Sequence, residues 1–231
     1  MGDLVFYSVA GLVYLFSFVV QKNLKSTYAR WRQVRNLTDS PGGRVARMIL
    51  DSNGLQSVRV DPVPGELTDH YDPRVKQIRL AQDNFAEPSV SAMAVSAHEC
   101  GHALQDADGY GPMKLKGALV PIANAGARFG MPAAILGSVI GSSILVQLGI
   151  LGYAGSILLT FLTLPVEFNA SKRALAQLET LGLVSPEGQA GAREVLKAAA
   201  MTYVAGVASS AGYLVYLVIA FGGSMMRRPR V

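Results

Sequence analysis

Charge is what this sequence has least of. Only 16% of its 231 residues are Asp, Glu, Lys or Arg, against about a quarter in an ordinary soluble domain. The scarcity is local. Leu4–Val20 carries no formal charge, Gly117–Val166 carries only Arg128, and Met201–Phe221 carries none. Uncharged runs this long favour helices in lipid over a buried helical pair in a soluble protein. Cysteine is nearly absent as well. Cys100 stands alone, which excludes an intramolecular disulfide framework and fits a reducing compartment. It reads as a small packing residue. Histidine occurs only three times, as His70, His98 and His102.

The apolar runs organise the chain. Asp3 precedes the first run and Lys22 and Lys25 follow it. A cleavable signal peptide has the reverse order of charge, so residues 1–21 read as a retained transmembrane anchor. The basic cluster Lys22, Lys25, Arg30, Arg32 and Arg35 then places the N-terminus outside and the following residues in the cytoplasm. Nucleic acid is the competing partner for such clusters, and their position beside apolar spans argues against it and for a lipid bilayer. Residues 22–116 form the expected soluble catalytic region. Residues 117–166 form a transmembrane helical hairpin, roughly 118–145 and 149–166, turning where Gly149 and Gly152 permit. Residues 167–200 are a second catalytic part, broken near Gly182 to Gly191. Residues 201–231 hold a last apolar helix and the basic tail Arg227, Arg228 and Arg230, which a fourth crossing would leave on the wrong side.

Within residues 22–116, Val45, Met48 and Ile49 recur at helical spacing and predict a helix over Arg44–Ser52. Ser57–Val63 and Lys76–Ala81 alternate apolar with polar and predict short strands. The second of these reads as an edge strand against which an extended peptide could pair. Ser89 caps a predicted helix that runs to about Asp106. The expected architecture is mainly α with a small β-sheet and three to four transmembrane helices.

The last of these predicted helices carries the chemistry. His98-Glu99-Cys100-Gly101-His102 is an H-E-x-x-H motif. With three histidines and seven glutamates, random placement gives it about once per thousand such chains. Residues four apart share a helix face, so both imidazoles can reach one ion. Zinc suits such ligands and lowers the pKa of a water it holds, and Glu99 is the expected general base. Two buried imidazoles face to face are costly without a metal. Gly101 permits a close approach of another segment or of substrate.

A catalytic zinc has a third protein ligand and an open position. Three residues compete for the role. His70 lies in the loop or strand end Asp69-His70-Tyr71-Asp72-Pro73. Asp108 lies ten residues after His98, the spacing of the third ligand in H-E-x-x-H-x-x-G-x-x-H enzymes, but Gln105 stands where those have a bend-forming glycine. Glu167 follows the apolar hairpin, which returns the chain to the side it left, and is expected to begin a helix. Spacing favours Glu167 and leaves the alternatives open. Tyr71, His70 and Arg173 are candidates to stabilise the tetrahedral oxyanion, although a structural loop pair and a solvated arginine are the plainer readings. Asp106 is a candidate to orient a ligand, or simply an exposed helix end.

His98–Gln105, Thr68–Pro73 and Pro165–Ser171 together resemble the YugP-type bacterial membrane zinc metallopeptidases, a neutral zinc metallopeptidase family. The resemblance spans nearly the whole chain. It is more distantly similar to the HtpX-like membrane gluzincins. There a glutamate past a membrane hairpin is the third ligand, which implies that role for Glu167 and a zincin-like fold. In that distant group an aspartate lies four residues after the ligand glutamate. Here Ser171 stands there, so the role of the aspartate does not transfer.

The expected function is a multi-pass cell-membrane endopeptidase with one zinc ion and its site on the cytoplasmic side. Its expected substrates are peptides or proteins, membrane proteins among them. Two other readings remain open, a membrane scaffold or chaperone with a structural metal and a hydrolase of some other amide bond.

Overall fold

The computed structural model describes residues 2–225; the basic residues Arg227, Arg228 and Arg230 lie outside them. Seven α-helices and three strands follow in the order α1 (Gly2–Arg32), α2 (Gly42–Ser52), β1 (Arg59–Val63), β2 (His70–Asp72), β3 (Gln77–Ala81), α3 (Gln82–Ala86), α4 (Val90–Ala107), α5 (Gly111–Ile140), α6 (Ser143–Thr180) and α7 (Pro186–Met225). The protein is mainly helical with one small sheet, as its sequence predicts. The chain divides into two compact units. Among the described residues, one takes 2–20, Leu115–Leu164 and 202–225; the other takes Gln21–Lys114 and Pro165–Met201.

The second unit holds the sheet and the motif helix. Val45, Ala46, Ile49 and Leu50 of α2 and Ile78 and Leu80 of β3 are fully buried. They pack in one core with Val90, Met93, Ala94 and Ala97 of α4, Ala174 and Leu178 of α6, and Ala192 and Val195 of α7. The strand order is β1-β3-β2, with β1 parallel and β2 antiparallel to β3. The Lys76–Ala81 segment is therefore the central strand, not the expected edge. Pro62 in β1 has no N–H to give a second neighbour, which confines that strand to the rim. The exposed edges belong to β1 and the three-residue β2.

Ser89 caps α4, its Oγ accepting from the Ala92 N–H at 3.1 Å, an interaction of about 1 kcal/mol. Gly109, at φ +65°, ends the helix, and the Tyr110 N–H returns to the Gln105 carbonyl at 2.8 Å. Cys100 is buried with Sγ 3.5 Å from the Ala46 carbonyl, and burial pushes its thiol pKa up. It is inert packing.

In the first unit, α5 and α6 make the hairpin, but its turn is at Gly141 and Ser142. Gly141 has φ +73°, and the Ser142 N–H bonds the Gly137 carbonyl at 2.8 Å. Gly149 and Gly152, expected at the turn, both sit inside α6, and Gly149 serves packing there. A Cβ on Gly149 would lie 2.5 Å from both the Gly130 carbonyl oxygen and the Ala134 nitrogen. Small residues let two helices approach backbone to backbone where lipid gives no hydrophobic drive. Among the described residues three helices are long and apolar enough to cross a membrane: Gly111–Ile140, Ser143–Thr180 and Pro186–Val215. Many of their apolar side chains face outward, Ile122, Val139, Ile144 and Val215 among them, while Ala134, Val146 and Ile150 are buried between helices. The first apolar run lies in α1, and its opening side chains are outside the described set.

Gly149→Leu is expected to lower the melting temperature of detergent-purified protein by several degrees, since overpacking against backbone costs about 1–3 kcal/mol or more. Gly155→Leu, a glycine of the same helix with open space at its Cβ, is expected to melt as wild type does. Equal melting of the two variants in a thermal scan would remove the packing role.

Candidate metal centre

The residues of interest all lie in the second unit. Helix α4 carries His98 and His102 one turn apart, their rings edge to face with centroids 4.7 Å apart and planes at 83°. Helix α6 brings Glu167 to them. Its Oε2 lies 3.3 Å from His98 Nε2 and 3.4 Å from His102 Nε2. The candidate ligand atoms of the three residues lie within 4.8 Å of one another. Glu167 is only 3% exposed.

The opposite ring nitrogens are engaged elsewhere. His98 Nδ1 lies 3.1 Å from Ser171 Oγ, and His102 Nδ1 lies 3.0 Å from Gln105 Oε1. Both Nε2 atoms therefore converge on one carboxylate oxygen, at separations longer than good N–H···O hydrogen bonds prefer. Two imidazoles and a buried carboxylate arranged this way fit a zinc ion with its fourth position open. His70 and Asp108, the other sequence candidates, are not among the three.

Electrostatics follow from burial. Glu99 is buried beside the imidazoles. Desolvation pushes its pKa up, Asp69 and Glu167 push the same way, and the two histidines pull it down. For His102, burial pulls the pKa down, but the neighbouring carboxylates of Glu167 and Glu99 outweigh it and leave it raised. Asp69 accepts from the Ala81 N–H at 2.8 Å and from Asn84 Nδ2 at 2.9 Å, and Asn84 Oδ1 accepts from the Tyr28 hydroxyl at 2.5 Å. These bonds pin the strand that carries His70 and Tyr71 to α1 and α3.

The remaining sequence candidates point elsewhere. The Tyr71 hydroxyl donates to Asp106 Oδ2 at 2.6 Å, and Lys76 pairs with the same oxygen. Burial and then Asp106 raise the Tyr71 pKa. Asp106 is thus engaged by β2 and the turn before β3, while the atom beside His102 belongs to Gln105. His70 is exposed, with Nδ1 2.7 Å from the Thr68 carbonyl. Arg173 donates from Nε to Asn169 Oδ1 at 2.9 Å, pairs with Asp108, and lies over the Tyr110 ring.

One correction concerns the chain around Glu167. No helix begins there: α6 runs unbroken from Ser143 to Thr180 with Pro165 inside it. The change from apolar to polar sequence marks a change of surroundings within one helix. The contacts that the sequence did not reveal are those of Gln105, Asn169 and Ser171 at the back of the imidazoles. Gln105 stood out only as a misfit to the glycine pattern, and Ser171 only as a departure from aspartate.

The chain matches a family model described as "Putative neutral zinc metallopeptidase" over residues 6–222. It is 37% identical over 217 residues to the protein named "Putative membrane protease YugP" of Bacillus subtilis (strain 168), an alignment covering 94% of this chain and 96% of that one. No solved structure matches it significantly. With the model and this relative each spanning almost its whole length, the chain belongs to the zinc metallopeptidase family that the model describes.

Proposed function

We propose that this protein is a multi-pass membrane endopeptidase of the gluzincin type, with His98, His102 and Glu167 holding one zinc ion and Glu99 as its general base. One observation carries the reading: two imidazoles and a buried glutamate from a second helix turn their donor atoms toward one point, with a further buried carboxylate in the same motif. Zinc bound there would supply a Lewis acid for the scissile carbonyl and a lowered pKa for the attacking water. Glu99 takes the proton from that water and returns it to the departing amine. Its burial favours the protonated form, which suits the second half of that task. The low exposure of Glu99 and Glu167 keeps bulk water from competing for the same groups.

Substrates are peptides or proteins, membrane proteins among them. An extended segment would pair with an exposed edge, β1 or β2, because β3 has both sides occupied. The basic cluster after the first apolar run supports a cytoplasmic position for the second unit.

The test is metal content measured together with casein cleavage, for detergent-purified wild type and Glu99→Gln. Both are expected to carry about one zinc per chain. Cleavage is expected to fall by roughly 10²–10⁴-fold in the variant, the usual worth of a general base. Equal cleavage by the two proteins would sink the proposal.

A further inference from the structure

Building on the metal reading above, we infer that Gln105 is a positioning residue whose side-chain amide, oriented through Asn169 by Arg173, holds His102 in the tautomer that turns a lone pair toward Glu167. The argument starts from the one group whose hydrogen-bonding sense is fixed. A guanidinium has donors only, so the Asn169 atom 2.9 Å from Arg173 Nε is the oxygen. The same oxygen accepts from Gln105 Nε2 at 3.0 Å, and the Val166 carbonyl accepts from that nitrogen at 2.8 Å. Both amide hydrogens of Gln105 are then committed. Turning the amide over would set its oxygen against two acceptors.

Gln105 Oε1 therefore faces His102 Nδ1, 3.0 Å away, as an acceptor, and Nδ1 must carry the ring proton. A neutral imidazole has only one N–H, so Nε2 keeps its lone pair, 3.4 Å from Glu167 Oε2. Gln105 is 0% exposed, so no solvent competes for the amide. His98 has no equivalent device, since its partner is the Ser171 hydroxyl, which can donate or accept. The same chain fastens α4 to α6 on either side of Glu167, through Val166 and Asn169. Outer partners of this kind orient metal-binding imidazoles.

The experiment measures zinc affinity of the full-length protein in detergent, by competition with a chromophoric chelator, alongside melting temperature. Gln105→Met keeps the length but offers His102 no oxygen. Gln105→Glu keeps an acceptor for Nδ1 and loses both donors. The expected result is a loss of roughly 10–100-fold in zinc affinity for Gln105→Met, the usual effect of removing such a partner. Gln105→Glu should keep an affinity close to that of wild type although its melting temperature falls at least as far. A merely structural glutamine would make affinity follow melting temperature, so a glutamate variant as weak as the methionine one overturns the inference. Unchanged affinity in Gln105→Met does the same. If Gln105→Met fails to fold, Arg173→Met removes the orienting donor from the partly exposed end; weaker zinc binding at an unchanged melting temperature supports the chain, and full affinity overturns it. Wild-type protein that binds no zinc overturns instead the metal reading beneath it.

Discussion

Glu167→Ala protein, purified with zinc in the buffer, is expected to emerge with far less than one ion per chain and no peptidase activity, while His70→Ala and Asp108→Ala keep their zinc. The three substitutions separate the candidates that sequence spacing leaves open. Glu167 presents its Oε2 to both imidazoles from a buried position, whereas His70 faces solvent beside Thr68 and Asp108 pairs with Arg173. Removing an outer partner of a metal ligand costs roughly 10–100-fold in affinity, and losing a ligand itself should cost more than that. Retention should be read by elemental analysis after dialysis, with circular dichroism confirming helix content. An alanine at 108 that empties the protein of zinc, beside one at 167 that does not, would reverse the assignment. The same site gives a pH dependence. The proton on His102 is held above the ordinary imidazole value of 6.5 by Glu167 and Glu99. Metal must displace that proton, so zinc affinity should decline as the pH falls and begin to do so above 6.5.

Gly101→Val is expected to damage stability and metal binding together. A Cβ at Gly101 would lie 2.4 Å from the Ala170 carbonyl oxygen and 2.9 Å from its carbon. These are backbone atoms, so no side-chain rotation relieves the clash and α6 must move away from α4. Glu167 and Ser171 flank Ala170 on that helix, so the displacement carries off the carboxylate that meets both Nε2 atoms and the hydroxyl beside His98. Overpacking of this kind costs about 1–3 kcal/mol, occasionally more. Gly117→Ala, a glycine of α5 with open space at its Cβ, should melt and bind zinc as wild type does. The measurements are a thermal scan with and without zinc and the metal content after dialysis. A valine variant with wild-type melting and full zinc would show that the close helix approach does not position the centre.

Much was legible in the sequence wherever the determining interactions are local. The pairing of His98 with His102 needs only the helical repeat. The start of α4 needs only Ser89 and its own first turn. Strands β1 and β3 and helix α2 follow from apolar periodicity, and the membrane-length helices from the absence of charge. Legibility failed where distant residues decide. The hairpin turn was expected at Gly149 because glycine permits a turn, but Gly141 supplies it and Gly149 meets Gly130 and Ala134 instead. Lys76–Ala81 was expected at an edge because alternation reveals a strand without its neighbours. Its central place came from its pairing with β1 and β2.

The centre divides the same way. Spacing along one helix determined by itself that two imidazoles share a face beside an acid. Which carboxylate meets them, what meets the far nitrogen of His98, and what orients the Gln105 amide beside the far nitrogen of His102 were decided by contacts between residues 61 to 73 positions apart. Such contacts depend on how closely α4 and α6 approach at Gly101 and Ala170, and the pattern along either helix alone does not set that distance.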